Sequence, residues 1–137
     1  MIIEVVNDHG HLRFSKKETI RVVKRVLRSE SKNVRQVSVV FTSNRRIRKI
    51  NATFLNHDYV TDVIAFRLEP RPAIECEIYI NLDRARIQAL EFRATVLNEI
   101  RRLVAHGLLH ILGHNDVNPR AKMRMTLAED AVIRSLK

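Results

Sequence analysis

The chain has 137 residues, a length that fits a single domain, and 45% of them are hydrophobic, which is enough for a buried core. No apolar stretch approaches the ~18 residues of a membrane span, so no membrane partner is expected. Twenty-five Lys and Arg residues against fifteen Asp and Glu give a net charge of +10, which attracts polyanions such as nucleic acid. A soluble protein with a basic face and no such partner is the alternative.

Two further features of the composition concern location and nucleic-acid contact. The N-terminus MIIEVVNDHG lacks the pattern of a signal peptide, and the single cysteine, Cys76, cannot form an internal disulfide, so a cytoplasmic location is expected. Two Tyr, five Phe and no Trp leave few platforms for base stacking. Contacts to phosphate are therefore expected to outweigh base readout.

The first half of the chain alternates strand and helix patterns. In chain order it predicts a strand over 2–6, a turn at His9-Gly10, a short returning strand over 11–14, a helix over about 16–30 and a strand over 35–42. A second helix begins at Ser43 or Asn44, either of which can cap it. Its inward face is predicted to hold Ile47, Ile50 and Phe54.

The second half predicts two strands and then three helices. The strands are Val63–Leu68 and Glu77–Ile80, with a loop at Pro70 and Pro72, and the helices are 82–91, 94–112 and one that opens at Asn118-Pro119. The inward face of the last helix is predicted to hold Met125, Ala128, Val132 and Leu136, and core packing is predicted for Met123 as well. Because strands interleave with helices and one strand pair looks like a hairpin, the predicted class is α+β with a mixed sheet.

The most informative segment lies in the longest predicted helix and reads HGLLHILGHND over residues 106–116. Residues four apart share a helix face, so the imidazoles of His106 and His110 can point at one ion. Gly113 can leave the helix with a positive φ and turn the chain back, which would bring Asp116 to the same ion as a third ligand. Three protein ligands and a water form a catalytic zinc site.

Two core histidines without a metal are the alternative. The helix is apolar around nearly its whole circumference, and burying imidazoles there is unfavourable unless each finds a partner. A metal ion supplies that partner for both, whereas carbonyls or carboxylates would do so for core histidines. His114 could bind the ion only if the helix continued past Gly113, so it is predicted at the mouth of the site, against substrate or water.

The ligand types indicate the metal and the chemistry. Two imidazoles and a carboxylate suit Zn²⁺, with Ni²⁺, Mn²⁺ or Fe²⁺ as alternatives. Metalloproteases with this histidine spacing carry Glu after the first histidine as general base, but here that position is Gly107, which disfavours peptide hydrolysis. Glu99, seven residues before His106 on the same face, could orient a ligand or pair with a neighbour such as Arg102.

The segment 106–116 resembles the signature His-Gly-x-Leu-His-x-x-Gly-x-x-His/Asp of the YbeY family of bacterial rRNA-maturation endoribonucleases. Residues 51–66, NATFLNHDYVTDVIAF, are similar to that family's Asn-x-x-(Tyr/Phe)-Arg-x-x-Asp-x-Pro-Thr-Asp-Val-Leu-Ser-Phe stretch. Residues 75–81, ECEIYIN, are similar to its Gly-Asp-Ile-x-Ile-Ser strand. The order and spacing of all three agree, and the resemblance covers roughly residues 35 to 130.

The resemblance implies that residues 1–137 form one α+β domain, with a small sheet of about four strands packed against helices and a central metal-bearing helix. It implies a zinc-type ion on His106, His110 and Asp116 that activates water or neutralises the scissile phosphate. The implied activity is single-strand-specific RNA hydrolysis in 16S rRNA 3′-end processing and ribosome quality control. The implied partners are rRNA, the small ribosomal subunit and assembly factors, and no DNA is expected.

Two positions depart from the family's pattern. Asp116 stands where the third ligand is usually His, and Leu55 stands where the family has an Arg that contacts substrate phosphate. The residues that could replace this Arg are Arg45, Arg46, Arg48 and Arg67. Arg48 and Arg67 are taken, with His114, as the predicted substrate contacts.

The leading hypothesis is therefore a metal-dependent endoribonuclease acting on rRNA, with Asp62 as either a base or a turn cap. A non-catalytic RNA-binding ribosome assembly factor with a structural metal is the alternative, and Leu55 in place of Arg favours it. A metalloprotease is the third hypothesis, and Gly107 and the basic surface count against it.

Overall fold

The computed structural model describes residues 1–68 and 72–136, and over these it contains four strands and five helices. In chain order the elements are β1 (Ile2–Asn7), α1 (Lys16–Arg28), β2 (Val34–Thr42), α2 (Asn44–Leu55), β3 (Val63–Arg67), β4 (Ile74–Asn81), α3 (Leu82–Glu91), α4 (Val96–Ile111) and α5 (Pro119–Ser135). None of the described helices is long and apolar enough to cross a membrane.

The four strands form one mixed sheet in the order β1-β2-β4-β3. β2 pairs in parallel with both β1 and β4, and β3 pairs antiparallel with β4. The predicted α+β class with a mixed sheet is therefore confirmed, and so is the hairpin made by the last two strands. Pro70, in the predicted hairpin loop, lies outside the described residues, whereas Pro72 lies just before β4 begins.

α4 is the central helix, because it contacts α1, α3, α5, β3 and β4. Thr95 caps its N-terminus, since the Thr95 hydroxyl accepts the N–H of Asn98 at 3.0 Å. The helix is buried on most of its circumference, as its all-round apolar sequence predicts, and its buried apolar residues are Ile100, Leu103, Val104, Ala105, Leu108 and Leu109. The histidine-bearing helix is thus held rigidly at the centre of the core.

Gly107 allows α4 to lie close to the sheet. A Cβ atom added at Gly107 would stand 2.8 Å from Cγ2 of Ile78 and 3.2 Å from Cγ2 of Val63. Both neighbours are β-branched strand residues with stiff side chains. At the position where metalloproteases place their catalytic Glu, any side chain would therefore crowd Ile78 and Val63.

We expect Gly107→Ala to destabilise the protein by about 1–2 kcal/mol. The added methyl group overpacks a core in which Ile78 is fully buried, and the gain in helix propensity of about 1 kcal/mol offsets only part of that effect. Urea unfolding measures the change. Gly10→Ala is the matched control, because a Cβ at Gly10 meets nothing within 4 Å, and it should shift stability by less than about 0.5 kcal/mol. An unchanged midpoint for Gly107→Ala would contradict the close approach.

The predicted strand over 11–14 was wrong. The backbone N–H groups of its first two residues both donate to Nδ1 of His9 at 3.0 Å. The Asn7 side chain accepts the N–H of Phe14 at 2.8 Å and donates to its carbonyl at 3.2 Å. Side chains thus take the backbone groups that a β ladder would need, and the segment is a loop.

Phe54 and Met123 are exposed rather than inward, at 69% and 60%, so both core predictions were wrong. In α2 the inward position is taken by the buried Asn51 as the helix nears its end. In α5 the buried face carries Met125 and Glu129. Met123 precedes Met125 by two residues and therefore lies about 200° around the helix from it.

Candidate active site

A cleft of about 390 Å³ beside α4 brings the three predicted ligands together. His106 and His110 line it from the helix, and Asp116 lines it from the segment after the helix. The remaining walls come from the end of α2, the loop that follows it and β3.

The turn after α4 returns Asp116 to this cleft. Gly113 has φ of 109°, a left-handed conformation that favours glycine. The N–H of His114 donates to the carbonyl of Leu109 at 3.0 Å, and the N–H of Gly113 donates to that of His110 at 3.2 Å. These two bonds form a Schellman motif, which is the local reason that the chain reverses here.

The donor types at the cleft suit a divalent metal, although the side chains do not yet converge. Over residues 1–68 and 72–136, no three His, Cys, Asp or Glu side chains stand close enough together to hold an ion. Two imidazoles and a carboxylate are nevertheless ligands that zinc prefers. His110 and Asp116 are exposed, so their side chains can turn towards His106 without disturbing the core.

A buried carboxylate from α5 orients His106. Nδ1 of His106 lies 2.8 Å from Oε2 of Glu129, which is only 7% exposed. Arg102 holds the same carboxylate at 3.1 Å and reaches Asp130 at 2.8 Å. The hydrogen bond to Glu129 raises the pKa of His106, with smaller contributions of the same sign from Glu129, Asp62 and Asp116 charges, while burial opposes them.

This contact assigns the two ring nitrogens of His106 different roles. A proton on Nδ1 donated to Glu129 leaves the lone pair of Nε2 available to an ion or substrate, which is how carboxylates orient metal-binding histidines. Sequence reasoning missed Glu129. The signal was a Glu at i+4 from Met125, on the inward face of the predicted last helix.

The orienting role that the sequence suggested for Glu99 stays a prediction. The carboxylate that contacts His106 is that of Glu129, and the ion pairs of Arg102 are with Glu129 and Asp130. Glu99 is 4% exposed, and burial raises its pKa to about 7, although the charge of Arg102 opposes this.

The raised pKa of Glu99 predicts a pH-dependent stability. The folded protein keeps the Glu99 proton between an ordinary pKa of 4.5 and about 7, so this stabilisation is complete below pH 4.5 and is lost as the pH rises through 7. The free energy of unfolding of Glu99→Gln, relative to that of the wild type, should therefore rise by about 3 kcal/mol between pH 4.5 and 8. Urea unfolding at both pH values measures this change. The exposed Glu91→Gln is the control and should show no such gain. Parallel pH curves for wild type and Glu99→Gln would contradict the prediction.

The predicted substrate contacts lie at different places. Nε2 of His114 is 2.6 Å from Glu30, and this pair borders a second depression rather than the cleft. Arg48 is exposed on α2 and pairs with Asp58 at 2.9 Å. Arg67 is exposed at the end of β3. Their roles towards substrate stay predictions.

Asp62 is held within a polar network beside the start of β3. Gln88 donates to Oδ2 of Asp62 at 3.2 Å, and the Thr61 hydroxyl donates to Oδ1 at 3.4 Å. The N–H of Asn81 donates to the Asp62 carbonyl at 2.9 Å, which anchors the turn. Whether Asp62 caps a turn or acts as a base stays a prediction.

Comparison with known proteins gives consistent matches. Residues 4–137 match the model of a family described as Endoribonuclease YbeY. A protein of that name from Chloroherpeton thalassium is 39% identical over 116 residues, which is 85% of this chain and 82% of the relative. Another from Chlorobium chlorochromatii is 36% identical over 121 residues, which is 88% of this chain and 78% of the relative. The solution structure of a Thermotoga maritima protein shares the fold, with a TM-score of 0.65 and 23% identity over 96% of this chain and 86% of that one.

Proposed function

Because this chain belongs to the YbeY family of endoribonucleases, we propose that it hydrolyses single-stranded rRNA at the cleft that contains His106, His110 and Asp116. The observation that carries this proposal is that these three side chains line one cleft, where the buried Glu129 forms a hydrogen bond with His106. His110 is exposed, so the two histidines are not a pair buried in the core.

The proposed ligands are His106, His110 and Asp116, and the proposed ion is Zn²⁺, one per chain, with Ni²⁺ or another divalent metal as the alternative. When bound, such an ion would supply a water whose pKa is lowered to about 7 and would offset negative charge at the scissile phosphate. Asp116 contributes a negative charge where the family pattern usually has a neutral imidazole, so the metal preference of this chain can differ from that of its relatives.

Groups at the cleft and on the neighbouring helix α2 support an anionic substrate. In neutral His106, the Nδ1 proton donated to Glu129 leaves the lone pair of Nε2 on the side of the ring away from that contact. α2, whose end forms one wall, carries exposed cations at Arg45, Arg46, Arg48 and Lys49. The ion pairs that some of them form are exposed and weak, such as Arg46 with Asp8 at 3.3 Å, so phosphates can replace these partners.

The proposed biological setting follows from the family rather than from the geometry. We propose that the substrate is the 3′ end of 16S rRNA, that the partners are the small ribosomal subunit and its assembly factors, and that the protein acts in rRNA maturation and ribosome quality control in the cytoplasm. The net charge of +10 supports an RNA substrate, and the same charge predicts a steep dependence of affinity on salt.

Incubation of the purified protein with single-stranded and duplex forms of the same rRNA segment tests this proposal. We expect cleavage of the single strand only, loss of cleavage with EDTA and recovery on adding Zn²⁺. Salt-sensitive RNA binding without any cleavage would contradict the proposal and favour a non-catalytic assembly factor. In that case EDTA would lower the melting temperature without removing an activity.

A further inference from the structure

The loop after α2 contributes two stacked aromatic rings to the wall of the cleft. The rings of His57 and Tyr59 lie 5.1 Å apart with an interplanar angle of 16°, and Oη of Tyr59 is 3.0 Å from Nδ1 of His57. Both residues line the same cleft as His106 and His110. Both are exposed, Tyr59 to 53%, so core packing does not account for the arrangement.

Hydrogen bonds to α2 fix the backbone that carries these two rings. Asn56 ends the helix in the left-handed conformation, with φ of 56°. The N–H of His57 then donates to the carbonyl of Asn51 at 3.1 Å, and the buried side chain of Asn51 donates to the carbonyl of Tyr59 at 3.1 Å. A surface held in this way loses little conformational entropy when a ligand binds to it.

The chemistry of this wall suits a nucleobase rather than a phosphate. Leu55, 41% exposed, lines the cleft beside the two rings, so the wall presents apolar and π surface. The charge of Asp58, between the two aromatic residues in sequence, is matched by its ion pair with Arg48. Every base has a π face, and stacking on an aromatic side chain improves affinity by roughly 5- to 150-fold per base.

Resting on the function proposed above, we propose that the His57–Tyr59 pair forms a stacking platform that binds one unpaired base of the RNA beside the phosphate to be cut. Bases inside a duplex are covered on both faces by their neighbours, so the platform accepts only a base that can leave the stack. Purines offer the larger π surface and are the favoured occupants. The platform therefore contributes to single-strand selectivity through the base.

Short single-stranded RNAs test the platform in a protein that carries His110→Ala, which should leave them uncut. One series of these RNAs carries 2-aminopurine at each position in turn, and a matched series carries an abasic residue at the same positions. We expect one position at which the abasic residue weakens binding by about tenfold and at which 2-aminopurine fluorescence is quenched. Adding Tyr59→Ala should remove both effects, whereas Tyr59→Phe, which keeps the ring, should retain them.

Phe92→Ala is the matched control, because it removes a ring that is 65% exposed and is not among the residues that line the cleft, and it should retain both effects. The platform is overturned if no position is sensitive to loss of its base, or if Tyr59→Ala leaves the sensitivity unchanged. RNA that is cut by the His110→Ala protein would instead contradict the proposed function. In that case the difference in binding affinity between intact and abasic RNA would still test the platform, since a binding measurement does not depend on cleavage.

Discussion

His110→Ala is expected to lower the rate of RNA cleavage by more than about a thousandfold while leaving the fold intact. His110 is exposed at the end of α4, so its loss opens no cavity in the core. It removes one of two imidazoles, and without a bound ion the pKa of water returns from about 7 to 15.7. His106→Ala should abolish cleavage as well. It should also destabilise the protein by about 1–3 kcal/mol, because the buried carboxylate of Glu129 loses one of its two partners in the described part of the chain and keeps only Arg102.

His11→Ala is the control for both histidine variants, because His11 is exposed and does not line the cleft. Its initial rate of cleavage should stay within about twofold of the wild type, as for most surface substitutions. Gel analysis of a labelled single-stranded RNA measures all three rates. Cleavage by His110→Ala at the wild-type rate would show that the reaction takes place elsewhere on the protein.

Glu129→Gln has the second largest expected effect, a loss of zinc affinity of about 10- to 100-fold, which is the usual range for such substitutions. The reason is that a carboxylate behind a histidine ligand orients the ring and makes it a stronger ligand. The amide can still accept the Nδ1 proton of His106 but no longer provides a negative charge. Cleavage at limiting zinc should therefore fall by a similar factor and recover in part at saturating zinc. Titration of the protein with zinc in a competing chelator measures the affinity.

Asp130→Asn is the control for Glu129→Gln, because it also removes a charge partner of Arg102. It therefore shows whether the loss of zinc affinity comes from Arg102 or from His106. Asp130 pairs with Arg102 at 2.8 Å, as Glu129 does at 3.1 Å, but among the described residues only Glu129 contacts His106. Zinc affinity should stay within about threefold in Asp130→Asn. Equal losses in the two variants would assign the effect to Arg102 and would contradict the orienting role of Glu129.

The helix that bears the histidines could be predicted from sequence because its signals are local. His106, His110 and Gly113 lie within about two helical turns of each other, so helix geometry fixes their relative positions. The apolar circumference of the same helix is also a local pattern. The α+β class followed from the order of elements in the same way. Local rules therefore sufficed to place Asp116 near the histidines.

The orienting carboxylate could not be found by the same rules. Glu99 shares a face with His106, but seven residues separate them by about 10 Å along the helix axis. Glu129 is 23 residues away in sequence and reaches His106 only because α5 packs against α4. A contact between two helices depends on how they dock, which the periodicity of either helix alone does not specify.

The composition of the chain does not show where its few aromatic residues lie. The chain has few aromatic residues, and their number alone predicted that phosphate contacts would outweigh base contacts. The structure nevertheless places His57 and Tyr59 against each other at the cleft. Their neighbour Leu55 stands where the family pattern has an Arg, so the wall lacks a cation at that position. The expectation that phosphate contacts outweigh base contacts stays a prediction.

The most direct test of the metal-bearing cleft is the zinc content of the purified protein after dialysis against zinc and then against buffer, measured by mass spectrometry beside His110→Ala and Asp116→Ala. We predict about one zinc ion per chain in the wild type and a small fraction of that in either variant. Wild-type protein without zinc, or variants that retain it in full, would contradict the claim that His106, His110 and Asp116 hold a common ion.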